Sequence, residues 1–254
     1  MNPSDIDQQL TGLAGLGDPL RRALYRYVVE RGAPVSRDAA ARAVGISRPL
    51  AAYHLDKLVD DGLLDARYQH RGARRGPGAG RPAKHYVRAD RQIELSLPTR
   101  DYAALAELLA SAIEADPSGS AQTAVNRTAS AFGAELGAEA AKRKEPDGSP
   151  GTVLAAVRQA LAARGYEPYD DPDGTIRLRN CPFDRIAAHH RDLVCGANLA
   201  MLQSLTDHLG GDPPVRAVLD PQPGPCCVAL TSDAGPSARP CPRHMQVQEH
   251  VEGP

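Results

Sequence analysis

Residues 37–64, RDAAARAVGISRPLAAYHLDKLVDDGLL, hold two short helical patterns separated by one glycine. The Ala-rich first pattern breaks at Gly45. Ser47 then offers a side-chain oxygen to the free amide donors that open the second helix. Ala51, Leu55 and Leu58 recur at steps of four and three and make one buried stripe. Arg48, Pro49, Ala52 and Tyr53 turn to the other side, near the helix N-terminus. Gly62 closes the helix, and Leu63 and Leu64 begin a strand. Two helices joined by so short a turn predict a helix-turn-helix, whose second helix presents its N-terminal end to a major groove. The plainer alternative is a helical hairpin that only packs a small core.

The next segment favours the first reading. Residues 67–91 carry eight basic side chains (Arg67, Arg71, Arg74, Arg75, Arg81, Lys84, Arg88 and Arg91) against one acid, Asp90. Strand-like flanks, LLDARYQ and KHYVR, enclose the loop HRGARRGPGAGRPA. This predicts a β-hairpin wing with a cationic tip. Its glycines permit backbone approaches that bulkier residues would block. Its arginines suit phosphates or a narrow minor groove.

The segment SRPLAAYHLDKLVDDGLL resembles the recognition helix and strand entry of ArsR/MarR-type winged-helix transcription regulators. The segment GPGAGRPAKHYVR resembles the wing of a narrower branch, which contains the iron–sulfur-assembly repressors of the SufR type. The resemblance spans residues 18–92. Carried over by position, it implies base or phosphate contacts from Ser47, Arg48, Pro49, Ala52, Tyr53 and Lys57. The wing adds Arg71, Arg74, Arg75, Arg81 and Lys84 as candidates for contact with double-stranded DNA. His54 is expected to pack or touch phosphate, not to catalyse.

The whole chain of 254 residues has room for one large domain or two smaller ones. Aromatic residues are 4% and Trp is absent, so the cores must be built from Ala, Leu and Val. The net charge of −1 hides an asymmetry: residues 1–100 hold 17 basic against 11 acidic side chains, the remainder 13 against 20. Only the first part is suited to a polyanion. The polar, acidic start MNPSDIDQQL is not a signal peptide. No apolar run approaches the roughly 18 residues of a membrane span. A cytoplasmic protein with no membrane partner is expected. Five cysteines, an odd number, then argue for thiols or ligands over a disulfide framework.

Along the chain, residues 1–17 read as a mobile lead-in and residues 18–92 as a winged helix-turn-helix domain. Its first helix is capped by Asp18, has Pro19 at its first position and ends at Gly32. Residues 93–146 read as a helical dimerisation segment, after a short strand or exit segment at 93–97. Thr99 is its expected cap, Leu105, Leu108, Leu109 and Ile113 form one apolar face, and Val125, Phe132, Leu136 and Ala140 form another. Two amphipathic helices after a winged domain suit a homodimer, because operator symmetry favours two-fold protein symmetry; otherwise they pack on their own chain. Residues 147–231 read as a small α/β sensor domain, with Asp173 and Gly174 at a hairpin turn and IAAHHRDLVCGANLAMLQSLTDHL as one long buried helix. Residues 232–254 read as a disordered tail. The fold class is α+β.

Cys181, Cys195 and the adjacent Cys226 and Cys227 fall in the sensor segment. Neighbours on a strand point to opposite faces, so one of the last pair can join the other two. Three soft ligands suit an iron–sulfur cluster, or failing that zinc. NCPFDRIAAHHRDLVCGANLAMLQ and PGPCCVAL resemble the cysteine-bearing region of the SufR-type branch, which implies Cys181, Cys195 and Cys226 as cluster ligands. The chain departs from that pattern in its doubled cysteine and in the thirteen residues between Cys181 and Cys195. The competing readings are thiols buried as small hydrophobes and a plain thiol redox sensor. Cys241 and His244 make a weak zinc-like pair in the tail, and His189 and His190 read as a helical surface pair or, failing that, as a source of the fourth ligand near the cysteines.

Hydrolase, metalloprotease and phosphate-loop motifs are absent. The glycine run of the wing opens no helix and so fails as a dinucleotide fingerprint. The expectation is a DNA-binding regulator, a repressor and not an enzyme, controlled by its C-terminal domain. Two alternatives are a winged-helix regulator of a small organic ligand or zinc, and a winged-helix protein-interaction module.

Overall fold

The computed structural model describes residues 3–69, 82–94, 100–142, 150–211, 214–222 and 224–231. The chain divides into two compact units, residues 1–100 and 101–254.

The first unit runs α1 (Pro3–Gly15), α2 (Pro19–Arg31), β1 (Val35–Ser36), α3 (Arg37–Val44), α4 (Arg48–Asp60), β2 (Leu64–Gln69) and β3 (Ala83–Arg88). Each of α2, α3 and α4 starts where a side-chain oxygen meets otherwise free amides. Asp18 accepts from Leu20 and Arg21, Ser36 from Ala39, and Ser47 from Leu50. Gly45 takes a φ of 72°, which turns the chain sharply enough to bring α4 across α3. β3 lies between β1 and β2, antiparallel to both, with Leu64 opposite Arg88 and Gln69 opposite Ala83. The core is aliphatic around one ring: Leu24, Val28, Val35, Ala40, Leu55, Leu58, Leu63, Leu64 and Tyr86.

Two features differ from expectation. The segment expected as a mobile lead-in forms the helix α1. Gly12 marks the contact: an added Cβ there would stand 2.9 Å from the tip of the Ile93 side chain, which would then have to shift. Polar residues at the start of the chain mask that contact in the sequence. The two-residue β1 was also not foreseen, since Val35 and Ser36 are too short a run to show a period.

The second unit runs α5 (Tyr102–Glu114), α6 (Ser120–Ala141), α7 (Pro150–Ala162), β4 (Pro168–Asp170), β5 (Ile176–Leu178), α8 (Asp184–Ala187), α9 (Arg191–Leu209), β6 (Arg216–Leu219) and β7 (Val228–Thr231). The strands form one antiparallel sheet in the order β4-β5-β7-β6. Leu136 of α6, Val157 and Leu161 of α7, and Met201, Leu202 and Leu205 of α9 share a core with Ile176, Leu178, Val228 and Leu230 of the sheet. Arg177 is only 3% exposed. It survives there because Asp171 and Asp220 each hold its guanidinium at 2.6 Å, tying the β4–β5 turn to the end of β6.

A division at residue 146 does not separate compact units, because α6 lies directly along α9. Gly133 and Gly137 make this possible. A Cβ on Gly133 would fall 2.0 Å from the Met201 carbonyl oxygen, and one on Gly137 2.8 Å from that of Leu205. The expected single long helix is two, α8 and α9, interrupted at residues 188–190. Asp101 caps α5 by accepting from Ala104; Thr99, the expected cap, lies outside the described residues. No helix among the described residues is long and apolar enough to cross a membrane.

Candidate nucleic-acid interface and thiol site

The N-terminal end of α4 stands open to solvent. Ser47, Arg48, Pro49 and Tyr53 are exposed, as is Lys57 further along, and Ala52 is half-buried. Tyr53 keeps 59% of its surface in water, a large aromatic left uncovered by its own domain. Leu50 is exposed in the same row and was missed, although its position one turn before His54 puts it on this face. Arg48 is held at 2.6 Å from Asp38 of α3, which orients its guanidinium beside the helix start. Lys57 pairs loosely with Asp60 at 3.8 Å. His54 is half-buried, its ring edge-on to Tyr53. The wing strands β2 and β3 are in place. Arg71, Arg74, Arg75 and Arg81 lie outside the described residues.

Lys84 sits at the start of β3 but does not reach outward freely. Its ammonium lies 2.6 Å from Asp56 on α4 and 5.4 Å from the Tyr86 ring. The Tyr86 hydroxyl donates to the same Asp56 oxygen at 2.8 Å. This cluster joins the recognition helix to the wing through one carboxylate. Burial pushes the Asp56 carboxyl up, but the Lys84 and Tyr86 hydrogen bonds outweigh it and hold it below its ordinary value. Burial, then the Asp56 carboxylate, push the Tyr86 phenol up, so it stays a donor. Sequence spacing gave no sign of this link, because residue 56 meets residues 84 and 86 only through the fold.

In the second unit Cys181, Cys195, Cys226 and Cys227 are free thiols. Cys226 is buried and Cys181 half-buried, and the Cys226 thiol is hydrogen-bonded to the Cys181 sulfur. Asn198 of α9 donates to Cys226 Sγ at 3.5 Å and accepts the Tyr166 hydroxyl at 2.5 Å. The bond from Cys226, against the opposing effect of burial, holds the Cys181 thiol below its ordinary value. Cys226, which donates to Cys181 and is also buried, is pushed up.

Cys195 is buried in α9, three residues before Asn198. Among the described residues no group of three His, Cys, Asp or Glu side chains could hold a metal ion. Two thiols converge, and the third expected ligand does not complete a metal-binding trio with them. As placed, the donor set does not fit a three-thiolate cluster. Cys227 is half-buried next to the pair, its carbonyl accepting from Asp220. Cys241 and His244 lie outside the described residues.

His190 is not on a helical surface. It lies in the break between α8 and α9, with Nδ1 at 2.8 Å from Glu114 and Nε2 at 3.0 Å from Glu107 of α5. His189 reaches Glu107 at 3.3 Å. These contacts latch α5 to its unit at the point where the long helix is interrupted.

Residues 16–67 match a family model described as a helix-turn-helix domain. The match runs from just after α1 through α4 into β2, and so includes the exposed helix end. No curated protein and no solved structure matches the chain.

Proposed function

We propose that the chain is a DNA-binding transcription regulator, a homodimeric repressor whose operator affinity is set by its thiol-bearing second unit. One observation carries the DNA-binding part: the uncovered N-terminal end of α4, with Arg48 and Tyr53 outward, inside the matched helix-turn-helix. That end has the side chains for base edges and phosphates, and the sequence between β2 and β3 is rich in arginine.

Dimerisation is supported by α5. Tyr102, Leu105, Leu108 and Leu109 are exposed there, Leu108 to 70%. A row of this kind at helical spacing is an association surface more often than a solvated one. The face of α6 is already occupied by α9. Control from the second unit is supported by the joined thiols. Iron–sulfur ligation by Cys181, Cys195 and Cys226 is the competing form of that control. It needs Cys195 to move toward the pair, and it predicts iron, sulfide and visible colour in protein purified without oxygen; zinc predicts metal without colour.

Selection from a random duplex pool tests the proposal. The expected product is an inverted repeat with half-sites about ten base pairs apart, one helical turn. Leu108→Glu should leave a monomer by light scattering and weaken binding to that product. A pool that enriches no sequence overturns the DNA-binding reading.

A further inference from the structure

Cys181 and Cys226 come from distant parts of the chain and meet beside the end of β5. The Cys226 amide donates to the Leu178 carbonyl at 2.8 Å, and Leu178 is the last residue of that strand. Cys181 lies three residues further on and is fixed in turn by the Asp184 amide, which donates to its carbonyl at 3.1 Å. The Phe183 amide supports the Cys181 sulfur, and the Asn198 amide supports that of Cys226. Each sulfur is thus positioned by a neighbour as well as by its partner. Cys181 reaches solvent, whereas Cys226 is 6% exposed.

We propose that Cys181 and Cys226 form a reversible disulfide, with a hydroperoxide as oxidant. Cys181 is the attacking thiol and Cys226 the resolving one. The Cys181 sulfur, losing its proton, attacks the terminal peroxide oxygen. The O–O bond breaks, an S–O bond forms, and the departing oxygen leaves as water or alcohol after taking up a proton. The Cys226 sulfur then attacks the Cys181 sulfenic acid. The S–S bond forms, the S–O bond breaks, and the hydroxyl leaves as water with the Cys226 proton. In total two thiols lose two electrons and two protons, and the peroxide takes up both. A dithiol returns the pair to thiols by exchange. The half-exposed position of Cys181 admits the peroxide, and the buried sulfur beside it intercepts the sulfenic acid before further oxidation.

The proposal concerns the thiol pair; only its consequence for DNA rests on the function proposed above. Full-length reduced protein is treated with hydrogen peroxide, alkylated, and digested without reductant for mass spectrometry. The expected product is a peptide pair joining Cys181 to Cys226, lighter by two hydrogens than the two thiol peptides and separated by dithiothreitol. Cys195 should remain alkylatable after denaturation. Cys226→Ser should leave a Cys181 sulfenic acid that dimedone captures. If that variant does not fold, Cys226→Ala serves, and the wild-type map stands without either.

Alkylation of both Cys181 and Cys226 after peroxide, or a link through Cys195 or Cys227, overturns the proposal. So does iron in the purified protein that Cys195→Ser releases. If the disulfide forms and affinity for the selected duplex is unchanged, the pair stands and thiol control of DNA binding falls.

Discussion

Replacing Asp56 with Ala removes the one acceptor shared by Lys84 and Tyr86. Tyr86 is fully buried, so its hydroxyl loses its partner in a dry site. An unsatisfied buried donor costs about 1–3 kcal/mol. The Lys84–Asp56 pair adds little, because half of the Asp56 side chain is in water; solvent screening limits such a pair to about 1 kcal/mol or less. The expected loss is therefore about 1–4 kcal/mol, mostly from the tyrosine.

Tyr86→Phe removes the stranded donor and leaves the Lys84 pair intact, so it should cost only about 0.5–1.5 kcal/mol. In the double variant the penalty of the stranded hydroxyl disappears, and the two losses should fall short of additive by about 1 kcal/mol or more. Hydrogen exchange of the α4 and β3 amides reads this in the first unit alone. The pH dependence has a fixed sign. The depressed Asp56 contributes stability above its unfolded value near 4 and loses it as pH falls through the lower folded value. Asp56→Ala should therefore flatten that acid limb. Additive single losses, or an unchanged acid limb, would refute the shared-carboxylate link.

Gly133→Ala should destabilise the second unit by about 1–3 kcal/mol, because the new Cβ meets the Met201 backbone and not a yielding side chain. Gly196→Ala should instead stabilise it by up to about 1 kcal/mol, since its nearest neighbour is 3.8 Å away and alanine suits the helix better; the same sign for both in α9 hydrogen exchange would count against the packing. The Glu114 hydrogen bond, opposed by burial and aided by Glu107, raises the His190 pKa. The α5 latch is then full below the unfolded histidine value and is lost as pH rises through the higher folded value. In an NMR titration His190 should titrate above the ordinary value of about 6.5, and Glu114→Gln should lower it; titration at or below the ordinary value contradicts the latch.

The first unit was largely legible because its signals are local. Asp18, Ser47, Gly45 and the Ala51–Leu55–Leu58 stripe each act within a few residues of themselves. The helix-turn-helix and the wing strands follow from them. What was not legible depends on chain segments far apart. The Asp56–Tyr86 link, the seating of α1 through Gly12, and the α6–α9 seam leave no periodic trace in sequence. The long helix through residues 189 and 190 was misread because nothing in the run His189-His190-Arg191-Asp192 forbids a helix, while the interruption falls where His190 meets Glu107 and Glu114 from another helix. At the thiol site the residue types and their segments were readable. Which sulfurs meet was not, because the partner of Cys181 is chosen by the backbone bond of Cys226 to β5.

The most direct test is the dissociation constant of full-length protein for its selected duplex, measured across salt concentrations for wild type and for Arg48→Ala with Tyr53→Ala. With several phosphates neutralised, wild-type affinity should fall by about a thousandfold or more between roughly 50 and 200 mM salt. The double variant should bind the selected duplex more weakly by about 2–6 kcal/mol, while its binding to unrelated duplex changes far less. Affinity independent of salt, or a double variant that still prefers the selected sequence as wild type does, would contradict DNA recognition by the exposed end of α4.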